Sequence, residues 1–321
     1  MIQTRQCILK QHHSDIDLAS WQEVVNLMAS IFNASSGDIV QLRDDTFNVV
    51  ATSDNPDNFL AANSNWPWDT NSFCRKMIET GDPLYVADAE NSDTWKTAPP
   101  VCEGPVRSYL GYPLYWPNGD VFGSICVIDT KPTAYSNDFV TLLGQLKKLI
   151  EANLRHADDM EQVRHTALHD PLTGCGNRLL MEERLKGQIA RVKRQNETFS
   201  LLSIDLNNFK PINDEFGHQV GDVVLQRVSE RLQASIRESD LLVRTGGDEF
   251  LIIFSAQVNA QQTTKQLAAA MAADISHDQA VINISASFGN AICPDDGTSI
   301  DDLMHIVDQR MYADKRAFKA R

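Results

Sequence analysis

The hydrophobic positions of the chain follow different periods in its two halves. In DLASWQEVVNLMASIF (17–32), Leu18, Trp21, Val25, Met28 and Phe32 recur at helical spacing and predict an amphipathic helix. GDIVQLRDDTFNVVATS then reads as two strands turning at Asp44-Asp45. SFCRKMIETGD predicts a helix and PLYVAD a short strand, followed by a polar loop. SYLGYPLYWPNGDVFGSICVIDT predicts a hairpin about Asn118-Gly119, a pair suited to a tight left-handed turn. An antiparallel sheet with helices on its face accommodates this order.

From about Asn137 to His169 there are few glycine or proline breakers, and the pattern becomes heptad-like. Phe139, Leu146, Asn153, Met160 and Ala167 fall at one position; Leu142, Leu149, His156 and Val163 fall at the other. Two readings fit: an amphipathic helix packed on its own domain, or a parallel two-stranded coil joining two chains. Beyond it, helix 177–195, strand 199–205, a loop and the helix GDVVLQRVSERLQASI lead to a hairpin, RESDLLVRTGGDEFLIIF. The helix TTKQLAAAMAADI, the strand AVINISASFGNAI and a C-terminal helix ending in MYADKRAFK complete the chain. Without its flanking helices this half is β-α-β-β-α-β, a ferredoxin-like arrangement. The expected class is therefore α+β. Expected divisions are a polar segment 1–14, a sensor-like domain 15–136, a connecting helix 137–168 and a second domain 169–321.

Composition sharpens this picture in a few respects. The chain has 321 residues, 42% of them hydrophobic, enough for two cores. Its net charge of −14 argues against a nucleic-acid or anionic-membrane partner. No apolar run approaches a membrane span, and the start, MIQTRQCILKQHHSD, lacks a signal-peptide layout. Six cysteines without a CxxC pair read as reduced thiols, so a soluble cytoplasmic protein is expected.

Candidate chemistry gathers around Gly246-Gly247. A hairpin turn uses the glycines, but it has no need of the adjacent carboxylates Asp248 and Glu249. Asp205 ends an apolar strand that lies beside this hairpin in a ferredoxin-like sheet. Three carboxylates at one place repel unless a divalent cation joins them, and hard oxygen ligands select Mg²⁺ or Mn²⁺. On spacing alone, three surface acids at strand ends remain an alternative. The loop FKPINDEFGHQVGD adds Lys210 as a phosphate partner, with Asn213 and Asp222 as short side chains able to read a guanine edge. Arg237 and Asp240 read either as a helix-end ion pair or as a further site.

HDPLTGCGNR (169–178), DLNNFKPINDEFGHQVGD (205–222), RESD (237–240), RTGGDEF (244–250) and MYADK (311–315) together resemble the GGDEF diguanylate cyclases over about residues 165–321. The resemblance implies condensation of two GTP into cyclic di-GMP with two Mg²⁺ or Mn²⁺ ions per site. It places Asp205, the backbone of Leu206, Asp248 and Glu249 at the metals, and counts Asp248, Glu249 and Lys210 as catalytic. Phe209, Lys210, Asn213, Asp222, Gly246, Gly247, Lys315 and Lys319 fall on its substrate-binding positions. Arg237 and Asp240 fall on its inhibitory product site. A cyclic dinucleotide made from two half-sites implies a homodimer, held by the 137–168 helix and the N-terminal domain.

Cys175-Gly176 stand where the family has Leu-Pro, Asn207 where it has an aspartate, Thr245 where it has an aromatic and Lys319 where it has an arginine. The usual Gly-Arg-Asn ending is absent. These departures bear on triphosphate affinity. The first half resembles a GAF domain through GYPLYWPNGDVFGSICVIDTKP and NSFCRKMIETGDPLYVAD, which implies an unidentified small-molecule ligand. Its tryptophans line either a pocket or a core, and Cys74 is either a sensor or a buried inert thiol. The competing functions are a catalytically silent GTP or cyclic di-GMP receptor and a hybrid cyclic GMP-AMP synthase. The latter is disfavoured by Asp222.

Overall fold

The computed structural model describes residues 16–277 and 280–320. The expected polar segment 1–14, with Cys7, lies outside the described residues. The chain divides into two compact units after Val163.

In the first unit, helix α1 (Leu18–Phe32) begins at Asp17, whose carboxylate accepts from the Ala19 and Ser20 N–H groups, and ends at Asn33 with φ 47°. The helix start needs such an acceptor because its first N–H groups lack partners. A six-stranded antiparallel sheet follows, built from β1 (Ser36–Arg43), β2 (Thr46–Thr52), β3 (Asn65–Pro67), β4 (Leu84–Val86), β5 (Ser108–Tyr115) and β6 (Val121–Asp129) in the order β3-β2-β1-β6-β5-β4. Asp44 and Asp45 both turn through positive φ, at 48° and 54°, in the β1–β2 hairpin. Alternation along the strands loads two cores. Ile39 and Ile125 face a core with Trp21, Met28, Leu143 and Ile150. Val40 and Cys126 face another with Phe47, helix α2 (Phe73–Thr80) and Trp95; α3 (Pro99–Cys102) borders the same side.

The long helix α4 (Asn137–Leu168) is continuous, as its sparse breakers predict. Its buried residues are Leu143, Ile150, Leu154 and Ala157, which join the first core. The helix is thus packed on its own domain through Ala157, on a face offset from the expected heptad stripe. Phe139, Leu142 and Leu146 of that stripe lean on the same core, whereas Leu149, Met160 and Val163 remain 48%, 42% and 62% exposed.

The second unit contains α5 (Arg178–Gln195), β7 (Phe199–Asn207), α6 (Phe209–Phe216), α7 (His218–Ala234), β8 (Leu241–Gly246), β9 (Glu249–Ile253), α8 (Ala260–Met271), β10 (Ile275–His277), β11 (Ala280–Ile282), β12 (Ser285–Cys293) and α9 (Ile300–Lys319). Its antiparallel sheet has the order β12-β7-β9-β8, as expected for the ferredoxin-like arrangement. Leu202, Ile204, Leu206, Phe250 and Ile252 pack under α7 and α8. Leu201, Leu251, Ile253 and Ala291 pack under α5 and α9.

Two local expectations need correction. Residues 209–216, expected as loop, form α6. Pro211 lies in its first turn, where no donor is required, and Gly217 ends it at φ 86°. The single strand expected over 280–292 is divided into β11 and β12, and β10 pairs with β11 as a separate hairpin.

A candidate active site around the hairpin turn

The sheet register sets the site. Asp205 on β7 stands opposite Glu249 on β9, so their side chains leave the same face. Asp248 lies in the turn between them, after Gly247 at φ 45°, and its carbonyl accepts from the Leu206 N–H at 3.1 Å. Asp205 is buried, Asp248 half-buried and Glu249 exposed. Burial first, and then the charges of Asp205, Asp248 and Asp308, push the Glu249 carboxyl above its ordinary range, against the pull of Lys315. A carboxyl raised by burial and neighbouring acids is one that a cation would stabilise.

Their hard oxygens suit Mg²⁺ or Mn²⁺. The Leu206 side chain is in the core, so only its carbonyl is available to a cation. Among the described residues no three His, Cys, Asp or Glu side chains form a ready ligand cluster. A Mg²⁺ shell that keeps water and phosphate oxygens needs only one or two carboxylates.

The C-terminal helix supplies the opposing charge. Lys315 Nζ donates to both oxygens of Asp205, at 2.6 and 2.7 Å. A Cβ at Gly289 would collide with the Val307 carbonyl and the Met311 backbone, so the missing side chain lets α9 lie directly on β12. Two residues from Asp205 on the same strand face, Asn207 donates to Ser285 Oγ at 3.2 Å and accepts from Ser287 Oγ at 2.9 Å. An amide fits that pair of hydroxyls without adding a charge beside Asp205. A pocket of about 560 Å³, bordered by Arg178, Thr245, Glu249, Asp301 and Asp308, opens next to the acids.

On the other side of β7, Asn213 of α6 lies against Gly221 of α7. A Cβ at Gly221 would occupy the place of Asn213 Oδ1. Gly221 directly precedes Asp222, which is exposed. Lys210 is exposed in the first turn of α6, and Phe209 is 8% exposed with its ring in the core. Phe209 therefore offers a ligand its backbone only. Lys319 is exposed in the last turn of α9.

Comparison with known proteins bears directly on this arrangement. The family described as "Diguanylate cyclase, GGDEF domain" matches residues 167–321, and a GAF domain family matches residues 21–155. Residues 167–321 are thus a GGDEF domain. The chain is 39% identical to the bifunctional diguanylate cyclase/cyclic di-GMP phosphodiesterase MucR of Pseudomonas aeruginosa, over 46% of this chain and 22% of MucR. It is 27% identical to diguanylate cyclase DgcP of Escherichia coli, over 81% of this chain and 77% of that one. The chain spans under half the length of MucR and of the P. aeruginosa diguanylate cyclase TpbB. The coiled coil and GGDEF domain of DgcB from Caulobacter crescentus, solved with c-di-GMP, is 26% identical over 55% of this chain and 95% of that chain, with a TM-score of 0.50.

The GGDEF turn is tied to the residues just past α4. Arg244 Nη1 donates to Asp170 Oδ1 at 3.0 Å and Oδ2 at 3.2 Å, while its Nε and Nη2 donate to the Gly247 carbonyl. Burial raises Asp170, but bonds from Thr173 and Arg244 outweigh it and hold the carboxyl below its ordinary range. Asn177 donates from its side chain to the Ala167 carbonyl at the end of α4. The same side chain accepts from the Leu179 and Leu180 N–H groups at the start of α5. Sequence reasoning quoted these motifs without assigning these roles; both depend on contacts that the motif spacing does not encode.

In the RESD segment, Arg237 and Asp240 do not pair as a helix-end ion pair. Helix α7 ends at Ala234, and the buried Asp240 carboxylate accepts from the Arg237 N–H, the Ser255 N–H and Ser255 Oγ. The guanidinium of Arg237 is exposed.

In the GAF domain the aromatic residues serve as core. Trp95 stacks on Phe73 at 4.3 Å, and Trp66 and Trp68 stack on Phe47. Cys74 is buried, with Tyr109 Oη and Ser124 Oγ each 3.5 Å from its sulfur. No helix is long and apolar enough to cross a membrane among the described residues.

Proposed function

We propose that the chain is a sensor-regulated diguanylate cyclase that condenses two GTP into cyclic di-GMP and two pyrophosphates. The observation that carries this reading is the register of Asp205 with Glu249 beside the glycine turn and beneath Lys315. Asn213 and Asp222 hold the guanine edge, which offers two donors beside one acceptor. Lys210, Lys315 and Lys319 contact the triphosphate, and the Gly246-Gly247 backbone admits it closely. Asp205, Asp248, Glu249 and the Leu206 carbonyl hold two divalent cations. When bound, these supply positive charge to the attacking 3′-oxygen and the departing pyrophosphate. One chain offers one such site, so two GGDEF domains face each other in a homodimer, held through α4 and the GAF domain. The exposed Arg237 binds product and limits synthesis. A small molecule acts on the GAF domain.

Incubation with GTP, ATP and Mg²⁺ followed by product analysis tests this reading. Cyclic di-GMP should be the sole cyclic dinucleotide, and Asp205→Ala or Asp248→Ala should abolish it while leaving the protein folded. A mixed product, or turnover retained in either variant, would sink it.

A further inference from the structure

Asp205 is 4% exposed, and burying a carboxylate is costly unless opposite charge and hydrogen bonds compensate it. The Lys315 ammonium supplies both, bonded to the two carboxylate oxygens at once. Under the function proposed above, a divalent cation needs these same oxygens. An ammonium and a divalent cation on one carboxylate weaken each other's hold, because their charges repel at close range. We propose that Lys315 is an internal counter-cation that competes with the divalent metal for Asp205, and that a metal arriving with nucleotide transfers the ammonium to the triphosphate. This inference rests on the reading of Asp205 as a metal ligand.

The local structure suits such an exchange because it fixes the helix and leaves the ammonium movable. One turn before Lys315, the Met311 backbone lies against Gly289, and Met311 Sδ accepts from Ser203 Oγ at 3.1 Å. The adjacent Asp314 accepts from the Phe288 N–H at 2.9 Å, which ties that turn of α9 to β12. The Lys315 side chain, by contrast, is 29% exposed. Its four-carbon stem can swing without unpacking the helix.

Metal alone must expel the ammonium and leave it without a partner. Metal with triphosphate brings a new anionic partner for it. The two ligands therefore assist each other's binding, and the coupling is reciprocal.

Mn²⁺ binding to the full chain, followed by electron paramagnetic resonance, tests the competition with and without a non-hydrolysable GTP analogue. Without nucleotide, Lys315→Met should bind Mn²⁺ tighter by about tenfold, since a cation beside the ligand has been removed. With the analogue present, the same variant should bind Mn²⁺ more weakly than wild type. Lys315→Arg, which keeps the charge, should stay near wild type without nucleotide. Unchanged or weaker Mn²⁺ binding by Lys315→Met alone overturns the competition. Asp205→Asn separates the two levels. Loss of Mn²⁺ binding there, with no effect of Lys315→Met, removes the competition but keeps the metal site; intact binding removes both.

Discussion

Arg244 joins Asp170 and the GGDEF turn through one planar group. Its fork holds both oxygens of Asp170 on one side and the Gly247 carbonyl on the other. Lysine cannot reproduce that geometry. Arg244→Lys should destabilise the GGDEF domain by about 1–3 kcal/mol, the cost of losing charged hydrogen bonds at a partly buried site. It should also lower turnover by at least about tenfold at temperatures where the variant is folded, through displacement of the turn. Urea unfolding and initial rates check the two effects separately, and wild-type turnover would detach the turn from Asp170.

Gly221→Ala probes the Asn213–Asp222 pair without touching either side chain. Alanine favours the helix over glycine by about 0.5–1 kcal/mol, but its Cβ displaces Asn213. The GTP KM should rise while thermal stability holds or improves. Asp222→Ser should relax the preference for GTP over ATP. Competition between the two nucleotides measures both changes.

Arg237 and Asp240 should separate cleanly on mutation. Arg237→Ala should abolish product inhibition without lowering the initial rate or the melting temperature. Asp240→Ala should cost about 1–3 kcal/mol of stability, because the partly buried Ser255 and Arg237 N–H groups lose their acceptor. Inhibition curves at rising cyclic di-GMP, paired with thermal melts, decide the matter. Full inhibition retained in Arg237→Ala removes it from the product site.

The exposed stripe on α4 should control assembly. Leu149→Lys with Val163→Lys leaves the buried Leu143, Ile150 and Leu154 untouched. Light scattering should show a dimer for the wild type and a monomer for the variant, whose activity should partly return as protein concentration rises. A variant that remains dimeric at every concentration would place the contact elsewhere.

Asp38 gives the GAF domain a pH-dependent stability. Burial pushes its carboxyl up to about 7 against hydrogen bonds from Thr52 and Ser36, and Oδ2 is buried without a partner. A carboxyl raised on folding holds its proton more tightly in the folded state. Its contribution to stability is therefore full below the unfolded value of about 3.9, declines as pH rises and levels above about 7. Melting temperatures across that window should fall with pH, and Asp38→Asn should flatten the decline. An unaltered slope in the variant would assign the effect to other groups.

The hairpin, the strand order and the candidate acids were legible in the sequence because each depends on nearby residues. Gly246-Gly247 announces the turn, and the alternation in β7 separates Asp205 and Asn207 from Ile204 and Leu206. What the sequence did not show lies in contacts across the fold. Lys315 meets Asp205 over a separation of 110 residues, and Asn213 depends on a missing atom at Gly221. Pro211 hid α6, since a proline in the first turn of a helix looks the same in sequence as one in a loop. In α4, the stripe through Leu142, Leu146 and Leu149 and the stripe through Leu143, Ile150 and Leu154 are both apolar. Only the sheet beneath decides which is covered.

That coverage limits what α4 can do as a messenger. A rod gripped along one side by its own domain, from Leu143 to Ala157, has lost the freedom to spin about its long axis. Any rotation of its far end must be carried by the GAF core as a whole or arise in the turns after Ala157. The GAF domain and the helix as far as Ala157 then turn as one body, and only the last three turns of the helix lie outside that grip.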